Sequence, residues 1–564
     1  MNTKRLLLPV ILLFSLAILV NLYCDDKSNS EKADFILYNG NIITMEPEMP
    51  RATAIAIKGE KILKVGSDKE IKNLAGPQCK RLDLSGKTVI PGLIDAHLHL
   101  LSLGQSKRIL NLVGTPNLET IQKMVANKAA QLPKGTWIIG RGWDQNDWPE
   151  KAFPARYDLD KVAPDHPVWL TRIDGHAGWA NSKALEISKV TKDTADPSGG
   201  KIHKDAETGE PTGIFIDAAE GLIAKHIPPS TYNEKKMDAL NAIRACLTVG
   251  LTGIHDASVD AETIKIYKEL IDEGRFNFRV YAMIIGDSEA AKQYLSKGPE
   301  IGYGNNRLTV RSFKLFSDGA LGSRGAAFFK PYSDDPGNTG LITFDPDKAY
   351  ALMVAALKNH FQVNTHCIGI KGNSLVLDLY EKALKEVPVK DHRFRIEHAQ
   401  IVRPSDIKRF KKLGVIASMQ PTHCTSDMYW AEDRIGAERI KGAYAWRSFL
   451  AEGVKIAGGS DAPVESENPF FGIYAAITRQ DQKGWPEDGW HAEQKLTREE
   501  ALRIFTIDAA YAAFEEGIKG SLKEGKLADL VIIDEDIMTI PVQMIFKIRP
   551  RMTILGGKIV HRRG

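Results

Sequence analysis

The chain has 564 residues, enough for a large core and for more than one folded unit. Its 43% apolar and 26% charged content is that of an ordinary folded protein. Its 75 basic and 71 acidic residues leave a net charge of +4, which argues against a dedicated nucleic-acid surface. Five scattered cysteines (Cys24, Cys79, Cys246, Cys367 and Cys424) contain no CxxC pair, so neither a disulfide framework nor a thiolate zinc site is indicated.

In chain order, Lys4 and Arg5 precede an apolar run from Leu6 to Val20, a basic n-region and an h-region of signal-peptide length. The run is short for a membrane-spanning helix. Cys24 follows, then a polar linker over 25–32. The arrangement resembles a bacterial lipoprotein signal over 1–24 with Cys24 as the lipid-bearing residue, although Tyr23 stands where such signals usually have a small residue. It predicts an exported protein, periplasmic or anchored to the membrane by lipid. The alternative is an uncleaved signal anchor.

Next comes a β-rich stretch. Ala33 to Thr44 carries an Asn-Gly pair between two strand-like runs and predicts a hairpin. Ala52 to Val65 repeats the pattern around Lys58-Gly59, and Arg81 to Val89 adds a strand. The C-terminal segment is similar, with Leu530 to Asp534, Met552 to Leu555 and Lys558 to His561. The two ends, 33–88 and 519–564, are therefore expected to build one small β-sandwich.

Between them, over 89–518, short apolar strands alternate with helical stretches, the pattern of βα units and a parallel sheet. Eight strands end near Asp95, Asp256, Ile284, Phe316, Thr365, Glu397, Gln420 and Ser460. That predicts an α/β fold, a (β/α)8 TIM barrel. Only the first spacing is long, and 104–245 reads as an inserted, Trp-rich subdomain.

The chemistry gathers at the C-terminal strand ends, where TIM barrels place their sites. His97 and His99 are two apart on a strand and point the same way. His366 and His398 end later strands, and Asp461 follows the last one. Such a set is hard to explain as structural polar groups; imidazole suits zinc, iron or nickel and an added carboxylate fits a hydrolytic site, with zinc favoured by precedent. Asp461 is the natural general base and acid. Gln420 and His423 follow the seventh strand and are candidates for substrate contact. Trp143, with Trp148 and Trp179, is a candidate for an apolar pocket, against the core role Trp more often has. Arg324 would hold an anionic group or else fix the loop after the fourth strand.

Pro91-Gly92-Leu93-Ile94-Asp95-Ala96-His97-Leu98-His99 resembles the opening motif of the amidohydrolase superfamily. Further stretches resemble its YtcJ-type branch, amidohydrolase family 3, which includes N-substituted formamide deformylase. They are Gly140 to Asp144, Asp174 to Ala177, Lys314 to Arg324, Gly458 to Val464 and Gly525 to Leu530. The resemblance runs from about Ala33 to the C-terminus. It implies that Lys314 carries a CO2-derived carbamate bridging two metals, with His97, His99 and Asp461 on one and His366 and His398 on the other. It also implies that His176 faces the active site. The alternative for Lys314 is an unmodified lysine paired with Asp318 or Asp461. One departure is Ile370, where the family often has an acidic residue.

The expected activity is hydrolysis of a small amide, formamide or cyclic amide, an amidohydrolase reaction on a C–N bond other than a peptide bond. A heterocyclic deaminase of the same superfamily is the first alternative. It commonly needs a Glu shortly after the fifth-strand histidine, and none follows His366. A non-catalytic surface binding protein is the second, opposed by the complete ligand set. A homodimer is compatible with the sequence, and no nucleic-acid partner is indicated.

Overall fold

The computed structural model describes residues 32–145, 148–172, 177–197, 200–322 and 324–564. Its centre is a parallel barrel of eight strands: β1 Leu93–Leu98, β2 Leu251–Val259, β3 Arg279–Ile285, β4 Leu308–Phe316, β5 Gln362–Cys367, β6 Arg395–His398, β7 Ile416–Met419 and β8 Ile456–Gly458. All eight coincide with the strands expected from sequence. Each is buried along nearly its whole length, because barrel strands face side chains inside and helices outside. The covering helices follow the expected logic. In Ala261–Asp272, Asp260 caps the first turn through Thr263 N at 2.7 Å, and Ile264, Tyr267 and Leu270 form the buried stripe.

The sheet is nearly closed. β1 and β8 are joined through the loop after β8, with Asp461 N donating to His97 O at 2.7 Å and His99 N to Ala462 O at 2.9 Å. Asp95 reinforces the seam by accepting from His97 N and Ser460 N, both at 3.0 Å. Backbone can approach this closely only because residue 459 is glycine: a Cβ there would lie 2.6 Å from His97 N.

The two chain ends share a six-stranded sheet, ordered Lys558–Arg562, Met552–Leu555, Leu530–Ile533, Thr88–Pro91, Asn41–Ile43 and Arg51–Ala52. A four-stranded sheet (Lys61–Gly66, Ala54–Lys58, Ala33–Tyr38, Ala75–Asp83) packs against it across Phe35, Leu37, Ile55, Val89, Leu530 and Ile554. The hairpin expected at Asn39-Gly40 is not formed. Ala33–Tyr38 pairs with Ala54–Lys58 and Ala75–Asp83, whereas Asn41–Ile43 belongs to the other sheet. The reason is burial on both faces: Phe35 and Leu37 meet the inter-sheet core while Ile36 packs on Ile71 of the helix Asp68–Lys72. The turn carries the chain from one sheet to the next.

Between β1 and β2 stands a third sheet, ordered Gly200–Lys204, Pro211–Asp217, Ala177–Ala180, Val168–Arg172, Ile138–Trp143 and Leu110–Asn111. It hangs on two packed helices, Leu100–Arg108 and Tyr232–Thr248, clamped by Arg108 against Asp238 and Glu234 at 3.0 and 3.1 Å. Among the described residues no helix is long and apolar enough to cross a membrane.

A buried, two-pronged ion pair fixes the chain-end sheet to the barrel. Arg279 of β3 donates to Asp529 at 2.6 and 2.8 Å, and Gly556 N donates to the same carboxylate at 2.9 Å. Removing one partner strands the other charge out of water. Asp529→Ala is therefore expected to destabilise the protein by about 3–5 kcal/mol, read as a shift of the urea-unfolding curve.

Candidate metal centre

The centre is built where β1, β4, β5, β6 and the segments after β7 and β8 converge. β1 delivers His97 and His99, whose rings sit edge-on at 5.6 Å. The chain then turns into the helix Leu100–Arg108, whose first amide is taken by Asp256 of β2 at 3.0 Å. β6 delivers His398 and ends there, at φ +71°, so strand alternation no longer decides where that ring points. Asp461 also sits at positive φ, +61°, in the tight loop after β8. Such conformations cost free energy and persist where surrounding contacts over-determine them; here the seam with β1 does so.

Neighbouring acceptors set the direction of three imidazoles. His97 Nδ1 is hydrogen-bonded to Glu397 Oε2, His99 Nδ1 donates to Ala257 O at 2.8 Å, and His398 Nδ1 to Gln420 Oε1 at 2.7 Å. A carboxylate or carbonyl oxygen can only accept, so each Nδ1 holds the proton and each Nε2 presents a lone pair. His99 Nε2 and His97 Nε2 lie 3.2 and 3.5 Å from Asp461 Oδ1. His366 and His398 meet edge-on at 4.6 Å. His366 Nε2 and His423 Nε2 are buried without a hydrogen-bond partner among the described residues.

Electrostatics keep His97, His366 and His398 neutral. Burial, then the Lys314 charge, lowers His97 to about 4 and His366 to about 3. Burial holds His398 well below the usual imidazole range, helped by His366. For Asp461, burial pushes upward, but the close approach of His99 and the facing His97, His398 and His423 hold the carboxyl well below its ordinary value. Lys314 is buried on β4 with Nζ 3.1 Å from His97 Nε2, and burial lowers its amine to about 8.

Two overlapping donor sets result, His97–His99–Asp461 and His398–His423–Asp461, with the ligand atoms of each set within 4.8 Å of one another. Neutral nitrogens with inward lone pairs, orphaned buried nitrogens and a shared carboxylate are the donor chemistry of a divalent metal site.

The structure thus brings together His97, His99, Lys314, His366, His398 and Asp461. It adds His423 to them, 3.7 Å from Asp461 Oδ2. Gln420, expected to contact substrate, instead spends its carbonyl oxygen on His398. Trp143 is not at the site. It is fully buried in the core of the inserted sheet, donating to Leu170 O at 2.7 Å, and Trp148 and Trp179 lie in the same cluster. Arg324 pairs with Asp334 at 2.7 Å, and Arg434 with the same carboxylate at 2.9 Å, so it fastens the loop after β4. His176 and Cys24 lie outside the described residues.

Sequence reasoning gave Glu397 and Arg395 no role and offered Asp318 only as a partner for Lys314. Arg395 Nη2 donates to Glu397 Oε2 at 3.0 Å, and its Nε approaches Oε1 at 2.7 Å off the hydrogen-bond line. A signal existed: two opposite charges spaced by two on a strand expected to be wholly buried must face the barrel interior together. Asp318 accepts from Ala327 N, Ile368 N and Gly369 N at 2.8–3.0 Å, tying the loop after β4 to the end of β5; burial raises its carboxyl to about 6.

Residues 80–561 match the family described as Amidohydrolase family (Amidohydro_3). The chain belongs to the amidohydrolase family. The amidohydrolase is 36% identical to Protein LONG AFTER FAR-RED 3 of Arabidopsis thaliana, over 89% of this chain and 87% of that one. It is 32% identical to putative amidohydrolase YtcJ of Bacillus subtilis, over 94% and 99%, and 29% identical to N-substituted formamide deformylase of Arthrobacter pascens, over 90% and 94%. Among solved structures, an uncharacterized metal-dependent hydrolase from Pyrococcus furiosus matches with a TM-score of 0.73 at 29% identity, covering 90% of this chain and all of that one. The amidohydrolase is accordingly a hydrolase of the metal-dependent superfamily.

Glu397→Gln keeps the shape but removes the charge that aligns His97. It is expected to weaken metal binding by about 10–100-fold, measured by competition with a chromophoric chelator.

Proposed function

We propose that the amidohydrolase cleaves the C–N bond of a small amide, formamide or cyclic amide, with Asp461 moving the proton. The observation that carries this reading is the position of Asp461, an ionised carboxylate set between His97 and His99 on one side and His398 and His423 on the other. N-substituted formamide deformylase, similar along nearly its whole length, supports the C–N class.

His97, His99 and Asp461 would hold one divalent metal, and His366 and His398 a second. Imidazole and carboxylate donors suit zinc. When bound, the metal supplies an acidified water and Lewis-acid polarisation of the scissile carbonyl. Asp461 accepts the proton given up by the attacking water and returns it to the leaving nitrogen, which departs poorly as an anion. Glu397 and Gln420 hold His97 and His398 in register through both transfers.

Lys314 supports a binuclear centre. Its lowered amine is partly uncharged near neutral pH, the form that adds CO2 and releases a proton to become a carbamate. That modification would replace a cation among metal ligands with an anion. The N-terminal segment supports export with lipid on Cys24.

Three outcomes test this reading. Asp461→Asn should lower kcat on an amide and formamide panel by at least about 100-fold while leaving the melting temperature near that of the wild type; full turnover would exclude Asp461 as the proton carrier. Lys314→Ala should reduce bound metal from two ions toward one by elemental mass spectrometry, with partial rescue by short carboxylates. Cys24→Ser should move the protein from the membrane to the soluble fraction in its native host.

A further inference from the structure

We infer that His423, the imidazole just after β7, joins His366 and His398 as a ligand of the second metal position, facing the Oδ2 atom of Asp461. The inference rests on the binuclear reading above and deepens it.

Local structure aims His423 inward. β7 ends at Met419 and the helix Pro421–Asp427 starts almost at once, with Pro421 in its first turn, where a missing N–H costs nothing. His423 N turns back onto Gln420 O at 3.2 Å. Gln420, one residue before that helix, holds His398 Nδ1. One short segment therefore sets both imidazoles, and their rings lie nearly parallel, 11° apart with centroids at 5.9 Å.

The two oxygens of Asp461 are divided. Oδ1 faces His99 and His97, while Oδ2 faces His423 Nε2 at 3.7 Å. That gap is too wide for a hydrogen bond, and Nε2 is buried with no other partner among the described residues. A buried nitrogen left unpaired is costly. A cation between Nε2, Oδ2 and His398 removes that cost, and the three ligand atoms already lie within 4.8 Å of one another.

A substrate contact is the rival role, and metal affinity read beside KM separates the two.

The test is zinc affinity and stoichiometry of the full-length protein, by chelator competition and elemental mass spectrometry. Cobalt-substituted protein is examined in parallel by X-ray absorption to count imidazoles. His423→Gln should leave one tightly held ion, weaken the second by more than about 100-fold, beyond the range of a residue that only positions a ligand, and lower the imidazole count. Gln420→Ala is the positioning control, expected to lose about 10–100-fold. His423→Asn serves if His423→Gln melts below the wild type. Two ions held at wild-type affinity in a folded His423 variant, with a raised KM, would overturn this assignment and leave the binuclear centre standing. Fewer than two ions in the zinc-reconstituted wild type would overturn both.

Discussion

Glu397 holds a negative charge in the closed interior of the barrel, away from water. Its usual remedy, protonation, is blocked: burial pushes its carboxyl upward, but Arg395, His97 and Lys314 hold it well below the ordinary range. A charge so placed must have partners on every side or destabilise the fold by several kcal/mol. Arg395 supplies them in several directions, donating also to Ala96 O at 2.6 Å and Ser418 Oγ at 2.9 Å, and pairing with His255 at 2.8 Å. β1, β2, β6 and β7 are thereby locked around one buried anion. His97 is the free end of that chain, so the same contact that satisfies the barrel interior also aims an imidazole at the centre.

The second constraint is closure. β1 and β8 do not zip together as neighbouring strands; they meet through backbone bonds from the loop that carries Asp461 and through the Asp95 carboxylate. Burial raises Asp95 to about 7, and two backbone amides satisfy it there. Gly459 permits the approach, and Asp461 takes its positive φ as a consequence. The Gly-Gly-Ser-Asp run is thus a closure device as well as the carrier of a candidate metal ligand. Shared geometry explains why a carboxylate on the last strand can address histidines on the first.

The surrounding sheets stabilise the barrel, and none of their described residues joins the two donor sets. The Arg279–Asp529 pair makes the chain-end sheet a brace under β3, and the inserted sheet carries its own core of tryptophans. This is why Trp143 reads ambiguously in one dimension. A large apolar residue near a motif suits a pocket and a core equally, and only its complete burial decides.

The sequence by itself determined the eight strands, the barrel class and the strand-end placement of His97, His99, His366, His398 and Asp461, because local periodicity and strand-end position are one-dimensional signals. It also determined Lys314 as a candidate, through resemblance rather than spacing. What only the tertiary structure decided was partnership: that Glu397 and Gln420 aim the imidazoles, that His423 joins His398 and Asp461, that Arg324 spends its charge on Asp334, and that Asn39-Gly40 crosses between sheets instead of closing a hairpin. Partnership joins residues hundreds of positions apart. It depends on which backbones the barrel brings within a few ångströms and on which buried charges must then be neutralised, and neither quantity is written in any local stretch of the chain.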